Sequence, residues 1–336
     1  MRHRHGKKRG LGRGILAICG VLLALVLLYQ GGRWLETRGD QPQARGDPAQ
    51  RYAYEEGIQV DGAAYRKRRN LTSILVMGID QESGTVASSY RNGGQADFLR
   101  LIVIDGATDQ VTQLAIDRDT MTPITILGVL GNQSGVRTAQ LCLAHGFGDG
   151  KEQSCQLTVD AVSNLLLGTQ IDFYLAMNLD GISALNDWVG GVTVTLEDDF
   201  SALDPAMTEG TTLTLTGEQA EIYVRGRRSV GVGTNEARME RQEEYISFLS
   251  VKLDERLGTS EEEIGALYDA LEPYLTTDIS RGRLINMLWS TRDYADAPVA
   301  ELEGVYEIGA DGFMEFHADE AELQKLVLEM FYIPVD

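Results

Sequence analysis

Phe98–Ile116 reads FLRLIVIDGATDQVTQLAI, and its two halves decide the fold class. Apolar runs at Phe98–Ile104 and Gln110–Ile116 flank DGATD, a cluster of turn residues, so the two runs are expected as antiparallel strands. Outward from this pair, Leu71–Gly78 (LTSILVMG), Ile171–Met177 (IDFYLAM) and Gly191–Leu196 (GVTVTL) read as further strands. Helical patterns fall at Thr138–Gly146, Cys155–Leu167, Leu179–Val189, Gly217–Val224 and Asn235–Leu257. Ser260–Leu275, Arg281–Tyr294 and Asp319–Met330 continue the helical set. Strands interleaved with helices, without internal repeats, predict an α/β domain whose mixed sheet is covered on both faces. Ahead of it, YEEGIQVDGAAYRKRRN suggests a small hairpin leading into the domain.

The first fourteen residues carry six Lys/Arg and no acid, and the uncharged run from Gly14 to Gly32 has an apolar heart from Ile15 to Tyr29. At about 1.5 Å per helical residue this run approaches the ~30 Å of a bilayer core. The basic flank places the N-terminus in the cytoplasm. A cleaved signal peptide is the alternative, but no small-x-small site follows, so an uncleaved signal anchor is preferred. The expected organisation is a basic tail at 1–14, a transmembrane anchor at 15–32, an extracytoplasmic spacer at 33–53 and a catalytic domain at 54–336.

The chain has a formal net charge of -20. Such a surface argues against nucleic acid as a partner, while leaving room for an anion in a local basic pocket. Cys19 lies in the apolar run, and Cys142 and Cys155 flank HGFGDGKEQS. In an oxidising compartment these two are expected to form a disulfide, with two free buried thiols as the alternative. No GxxxxGK[ST], HExxH, GxSxG or CxxC is present, which removes the common nucleotide, zinc, hydrolase and redox signatures. With only His145 and His317 beyond the basic tail, a catalytic metal would be a hard cation on carboxylates, Mg²⁺ above all.

Carboxylates stand where strands end: Asp80 after the first strand, Asp97 just before Phe98, and Asp117 and Asp119 after Ile116. Residues beyond strand ends are where α/β sheets bind ligands, although each alone is also an ordinary turn or cap residue. Glu221–Gln242, EIYVRGRRSVGVGTNEARMERQ, adds Arg225, Arg227, Arg228, Arg238 and Arg241. YVRGRR alternates, so Arg225 and Arg227 are expected on one side of an extended segment, while Arg238 and Arg241 share a helix face. Convergent guanidiniums suit phosphate oxygens, and a set of surface arginines answering nearby acids is the plainer alternative.

ILVMGID, the AD of GGQADFLRLIVID, LAIDRDTM, YVRGRR and RMERQ follow one another as in the LytR–CpsA–Psr family, which this sequence resembles from about Asn70 to Gln242. DFYLAMNLDGISALNDWVGGVTVTL also resembles that family's central segment. The resemblance implies an α-β-α sandwich around a central mixed sheet, with one N-terminal transmembrane helix and an apolar tunnel for a lipid tail. It implies a membrane enzyme, active outside the cell membrane, that moves a glycopolymer from an undecaprenyl-pyrophosphate carrier to peptidoglycan through a phosphodiester. By motif, Asp80 and Asp97 would hold Mg²⁺, and Arg118, Arg225, Arg227 and Arg238 would bind the phosphates. Gln242 would sit at the same site, and Asp119 would orient an arginine or buttress the turn. Departures from the family pattern are Gln95 for an arginine, Phe98 for a threonine, Asp117 for a proline and Asn235 for an acid. Arg91, Arg100 or Arg228 are candidates to replace the missing arginine. A lipid-pyrophosphate hydrolase and a non-catalytic wall-binding protein are the rival readings.

Overall fold

Strand alternation in Leu71–Ile79 builds the centre of the molecule. Ile74 and Val76 point into one apolar cluster while Leu75 and Met77 point into another. A strand apolar on both sides must be covered on both sides. The structure is a computed structural model, and it describes residues 57–60, 62–81, 93–128, 130–225 and 235–335. The basic tail, the apolar run and the spacer lie outside the described residues. Among those residues, no helix is long and apolar enough to cross a membrane.

The expected leading hairpin is present as β1 (Gly57–Val60) and β2 (Ala63–Lys67). Then come β3 (Leu71–Ile79), β4 (Ala96–Asp105) and β5 (Gln110–Ile116). β4 and β5 are antiparallel, as the DGATD link requires. β6 (Met121–Leu127) and β7 (Gln133–Gln140) form a separate ribbon, followed by a short helix α1 (Leu143–Gly146) and by α2 (Glu152–Leu165). β8 (Phe173–Asn178) runs parallel to β3. After it lie α3 (Gly181–Trp188), the ribbon of β9 (Thr193–Thr195) and β10 (Thr212–Thr214), then α4 (Gly217–Arg225) and α5 (Asn235–Leu257).

α6 (Glu261–Leu271), β11 (Leu275–Thr277) and α7 (Arg281–Thr291) lead to two short strands, β12 (Ala295–Asp296) and β13 (Ala300–Glu301). The described chain ends with the hairpin of β14 (Gly304–Ile308) and β15 (Met314–Ala318), then α8 (Glu320–Phe331) and β16 (Tyr332–Val335). Among the described residues seven strands make one mixed sheet, ordered β11-β8-β3-β4-β5-β12, with β13 also on β5. One face is packed by α3 to α7 through side chains such as Ile182, Tyr223, Tyr245, Leu267 and Leu288. The other is packed by α1, α2 and α8 through Ala144, Val162, Val327 and Phe331. Central mixed sheet and helices on both faces agree with the expectation.

Three local expectations are corrected. Residues 138–140 belong to β7, because Val136 and Thr138 lie in a ladder with β6, and only Leu143–Gly146 is helical. Arg225 is not extended but ends α4, one residue past the helix expected to Val224. Ala220, Tyr223 and Val224 of α4 bury one face at helical spacing, while Arg227 lies outside the described residues. Cys142 and Cys155 are free thiols, both buried. Cys155 Sγ lies 3.9 Å from His145 Nε2, whereas the Cys142 main chain is bonded to Arg118, so the two side chains serve different neighbourhoods.

Candidate active site

The corner where β3 and β5 end and β4 begins is shaped by an irregularity. Gly78 pairs with Phe98 but Ile79 pairs with Ala96, so Asp97 is the extra residue of a bulge. A bulge re-aims a side chain out of the ladder. Asp97 is 5% exposed and receives a hydrogen bond at 2.5 Å from Arg118 Nη1. Asp80 follows β3 directly, and its N–H donates to Gln95 O at 2.9 Å, which sets it one strand away from the bulge. Gly94 permits this approach: its φ is +73°, and a Cβ there would stand 2.8 Å from the Asp80 carbonyl oxygen.

Past β5 the chain turns at Asp117–Thr120. Asp117 Oδ1 accepts from Asp119 N at 2.7 Å, and Thr120 N donates to Asp117 O. This is an Asx-type turn, the role an aspartate can take without proline. It delivers Arg118 between two carboxylates, Asp97 and Asp119, the latter at 3.4 Å from Nε. Burial opposes the charge on Arg118, yet Asp97 and Asp119 carry its pKa above the ordinary value. Burial pushes the Asp119 carboxyl up, Arg118 pulls it down, and Asp117 adds to the rise. The Cys142 main chain closes the corner, accepting from Ala96 N and donating to Arg118 O, while burial pushes its thiol up to about 12.

Behind the corner stands His145, 1% exposed, whose Nδ1 donates to Gly94 O at 3.2 Å. Burial lowers its pKa to about 4, so the ring is neutral at pH 7. Sequence reasoning set this histidine aside as too isolated for zinc; its structural value comes from the Gly94 carbonyl, which no local pattern announces.

Asp80, Asp97, Arg118 and Asp119 thus meet at neighbouring strand ends. Arg225 ends α4 and Arg238 and Gln242 lie in α5, but their side chains and all of Arg227, Arg228 and Arg91 are outside the described residues. Arg241 is described, and the plainer reading holds for it: Nη1 pairs with Asp198 at 2.7 Å and the guanidinium lies over Phe200. Arg100 bonds Gln113 Oε1 at 3.2 Å and lies over Phe98, within the sheet face rather than at the corner. Among the described residues no group of three His, Cys, Asp or Glu could enclose a metal. Mg²⁺ needs only one or two protein carboxylates, because it keeps waters and takes further ligands from phosphates, and Asp80 and Asp97 are hard oxygen donors of that kind.

The LytR_cpsA_psr family model matches residues 39–331. The chain is 27% identical to the polyisoprenyl-teichoic acid–peptidoglycan teichoic acid transferase TagU of Oceanobacillus iheyensis, over 98% of this chain and 96% of that protein. It is 30% identical to the protein of that name from Halalkalibacterium halodurans, where the match spans 62% of this chain and only 60% of the relative's length. The crystal structure of protein gbs0355 from Streptococcus agalactiae superimposes with a TM-score of 0.55 at 24% identity, covering 78% of this chain and 88% of that one. That likeness is one of fold.

Proposed function

Because the chain belongs to the LytR_cpsA_psr family, we propose that it is a phosphotransferase that moves a glycopolymer from a polyprenyl-pyrophosphate carrier to peptidoglycan. The observation that carries this reading is the buried Asp97 paired with the half-buried Arg118 and, through it, Asp119, with the Asp80 main chain at the neighbouring strand end. The names of the TagU relatives support the substrate class. Asp80 and Asp97 would hold Mg²⁺, which when bound supplies charge neutralisation at the pyrophosphate oxygens. Arg118 would keep its bond to Asp97 and turn the rest of its fork to a phosphate oxygen. Arg225, Arg227 and Arg238 would complete the clamp, with Gln242 beside them.

In this reading the acceptor hydroxyl attacks the phosphorus nearer the glycan. A new P–O bond to peptidoglycan forms as the bond to the carrier's phosphate breaks, and polyprenyl phosphate leaves. Fixed guanidiniums at the developing charge lower the barrier because they need no reorganisation in the transition state. Asp119, whose carboxyl burial pushes up, would accept the proton released by the hydroxyl. The uncharged run ahead of the spacer would anchor the enzyme with this site outside the cell membrane. Release of polyprenyl phosphate from a lipid-linked oligosaccharide, with and without a peptidoglycan acceptor, is the test. Acceptor-dependent, Mg²⁺-dependent product is expected, and replacing Arg225 and Arg227 together should lower turnover at least ~100-fold. Unchanged turnover in that double variant would remove the assignment.

A further inference from the structure

The β14–β15 hairpin lies far along the chain from the Asp117–Thr120 turn but is bound to it. Phe316 N donates to Asp119 O at 2.9 Å, and Thr120 bridges Phe316. The Tyr306 hydroxyl donates to Asp117 Oδ2 at 2.6 Å. Gln140 Nε2 adds a bond to Met314 O at 2.7 Å. The cross-strand register sets Tyr306 opposite Phe316 and Ile308 opposite Met314, so all four side chains share one face. Phe316 is buried at the base, and the Tyr306 ring tilts against it with centroids 4.8 Å apart. Tyr306 is nevertheless 58% exposed and Ile308 75%, with Met314 also exposed. An apolar strip therefore starts at the turn that presents Arg118 and Asp119 and runs outward to the hairpin tip.

We propose that this strip is the acceptor subsite, on which an amino-sugar ring of a glycan strand lies to present its hydroxyl to the corner. The proposal rests on the transferase reading and specifies where its second substrate binds. A tyrosine fixed at both its ring and its hydroxyl offers a rigid surface whose ordering has already been met in the free protein. The C–H face of a sugar packs on that ring and on Ile308 and Met314, while its hydroxyls reach Asp117, Asp119 and Gln140. The bond to Asp117, and burial after it, push the Tyr306 hydroxyl up to about 12, so it remains a donor throughout the neutral range. Glu303, Glu307, Asp311 and Glu315 lie in or beside the same hairpin, Glu307 and Glu315 paired on its other face, which disfavours an anionic lipid surface. The same acids, in a chain of net charge -20, disfavour a second copy. Uncharged N-acetylated sugars meet no such repulsion.

The probe is a soluble tetramer of β-1,4-linked N-acetylglucosamine, followed by saturation-transfer difference NMR on the full chain in detergent. Binding to the unaltered protein is expected, with the signal falling by roughly fivefold or more in Tyr306→Ala and in the exposed pair Ile308→Ser/Met314→Ser. Tyr306→Phe keeps the ring and should keep binding within about twofold. In steady state, the two strip variants should raise the acceptor KM about tenfold and leave the donor KM unchanged. The tip pair carries the test by itself if Tyr306→Ala does not fold. Absence of binding, binding that survives the tip variants, or an equal rise in donor KM would overturn the subsite. So would tip variants whose only effect is lost sedimentation with phosphatidylglycerol vesicles. Absence of any donor turnover by the unaltered protein would instead sink the transferase reading, leaving oligosaccharide binding to decide the strip.

Discussion

Arg118 and Arg100 belong to neighbouring parts of the same sheet and live under opposite electrostatic rules. Arg118 stands between Asp97 and Asp119, and these carboxylates hold its pKa up against burial. Arg100, inside β4, has a neutral amide at 3.2 Å and the Phe98 ring at 5.4 Å. Burial lowers its pKa, with Glu301 acting weakly the other way, and its Nε is buried without a hydrogen-bond partner. The difference lies in the backbone. Within a regular ladder each side chain meets only its cross-strand neighbours, whereas at the corner a bulge and an Asx turn break the ladder and let acids from two strands converge on one guanidinium.

The contrast is broken most directly at Asp97. Asp97→Leu leaves the half-buried Arg118 with Asp119 alone and should cost about 3 kcal/mol, read by denaturant unfolding. Arg118→Met should cost a similar amount for the mirror-image reason. Combining the two should restore part of the lost stability, since Asp97 and Arg118 go together while Asp119 still loses its guanidinium, and donor turnover stays absent. Additive losses in the double variant would show that the pair is held by its surroundings rather than by each other.

His145 sharpens the comparison because it supports the corner without carrying charge. Its folded pKa of about 4 lies below the ordinary 6.5, since burial disfavours the imidazolium. The unfolded chain therefore binds the extra proton first. The stabilisation is complete above about pH 6.5 and is lost as pH falls towards 4, by about 3 kcal/mol in all. Unfolding free energy measured from pH 7 to pH 4 should fall on that curve, and His145→Asn, which keeps a side-chain N–H, should flatten it. An unchanged slope in His145→Asn would mean that other groups set the acid limit.

The sheet was legible in the sequence because alternation and runs of Val, Ile and Leu are local signals. Four of the five expected strands lie in it, the fifth pairing with β10 in a separate ribbon, and the placement of Asp80, Asp97, Arg118 and Asp119 at strand ends follows from that. β6 and β7 were not legible: Pro123 argues against a strand, and Thr138 to Gly146 also fits a helical spacing, until the ribbon pairing decides. α4 was legible to Val224, where Tyr223 and Val224 are buried at helical spacing, and only Arg225, where the alternation of YVRGRR suggests an extended segment, differs. The Tyr306–Asp117 bond joins residues 189 apart, and nothing near either one announces the other. Asp117 alone was visible, as an acid in a proline's usual place.

The smallest effect falls on Arg100, and its sign is what matters. Removing a charge that forms no ion pair among the described residues, and feels Glu301 less than its own burial, should not destabilise the protein, so Arg100→Met is expected to be neutral or stabilising by no more than about 1 kcal/mol. The gain is limited because the Arg100 side chain as a whole is only half buried. Met fills the space of the aliphatic stem and keeps contact with Phe98, so a cavity does not confuse the reading. Gln113, 7% exposed, then loses its partner, and Arg100→Met/Gln113→Leu should exceed the single variant in stability. A loss of several kcal/mol in Arg100→Met would place Arg100 with Arg118 and remove the distinction between ladder and corner.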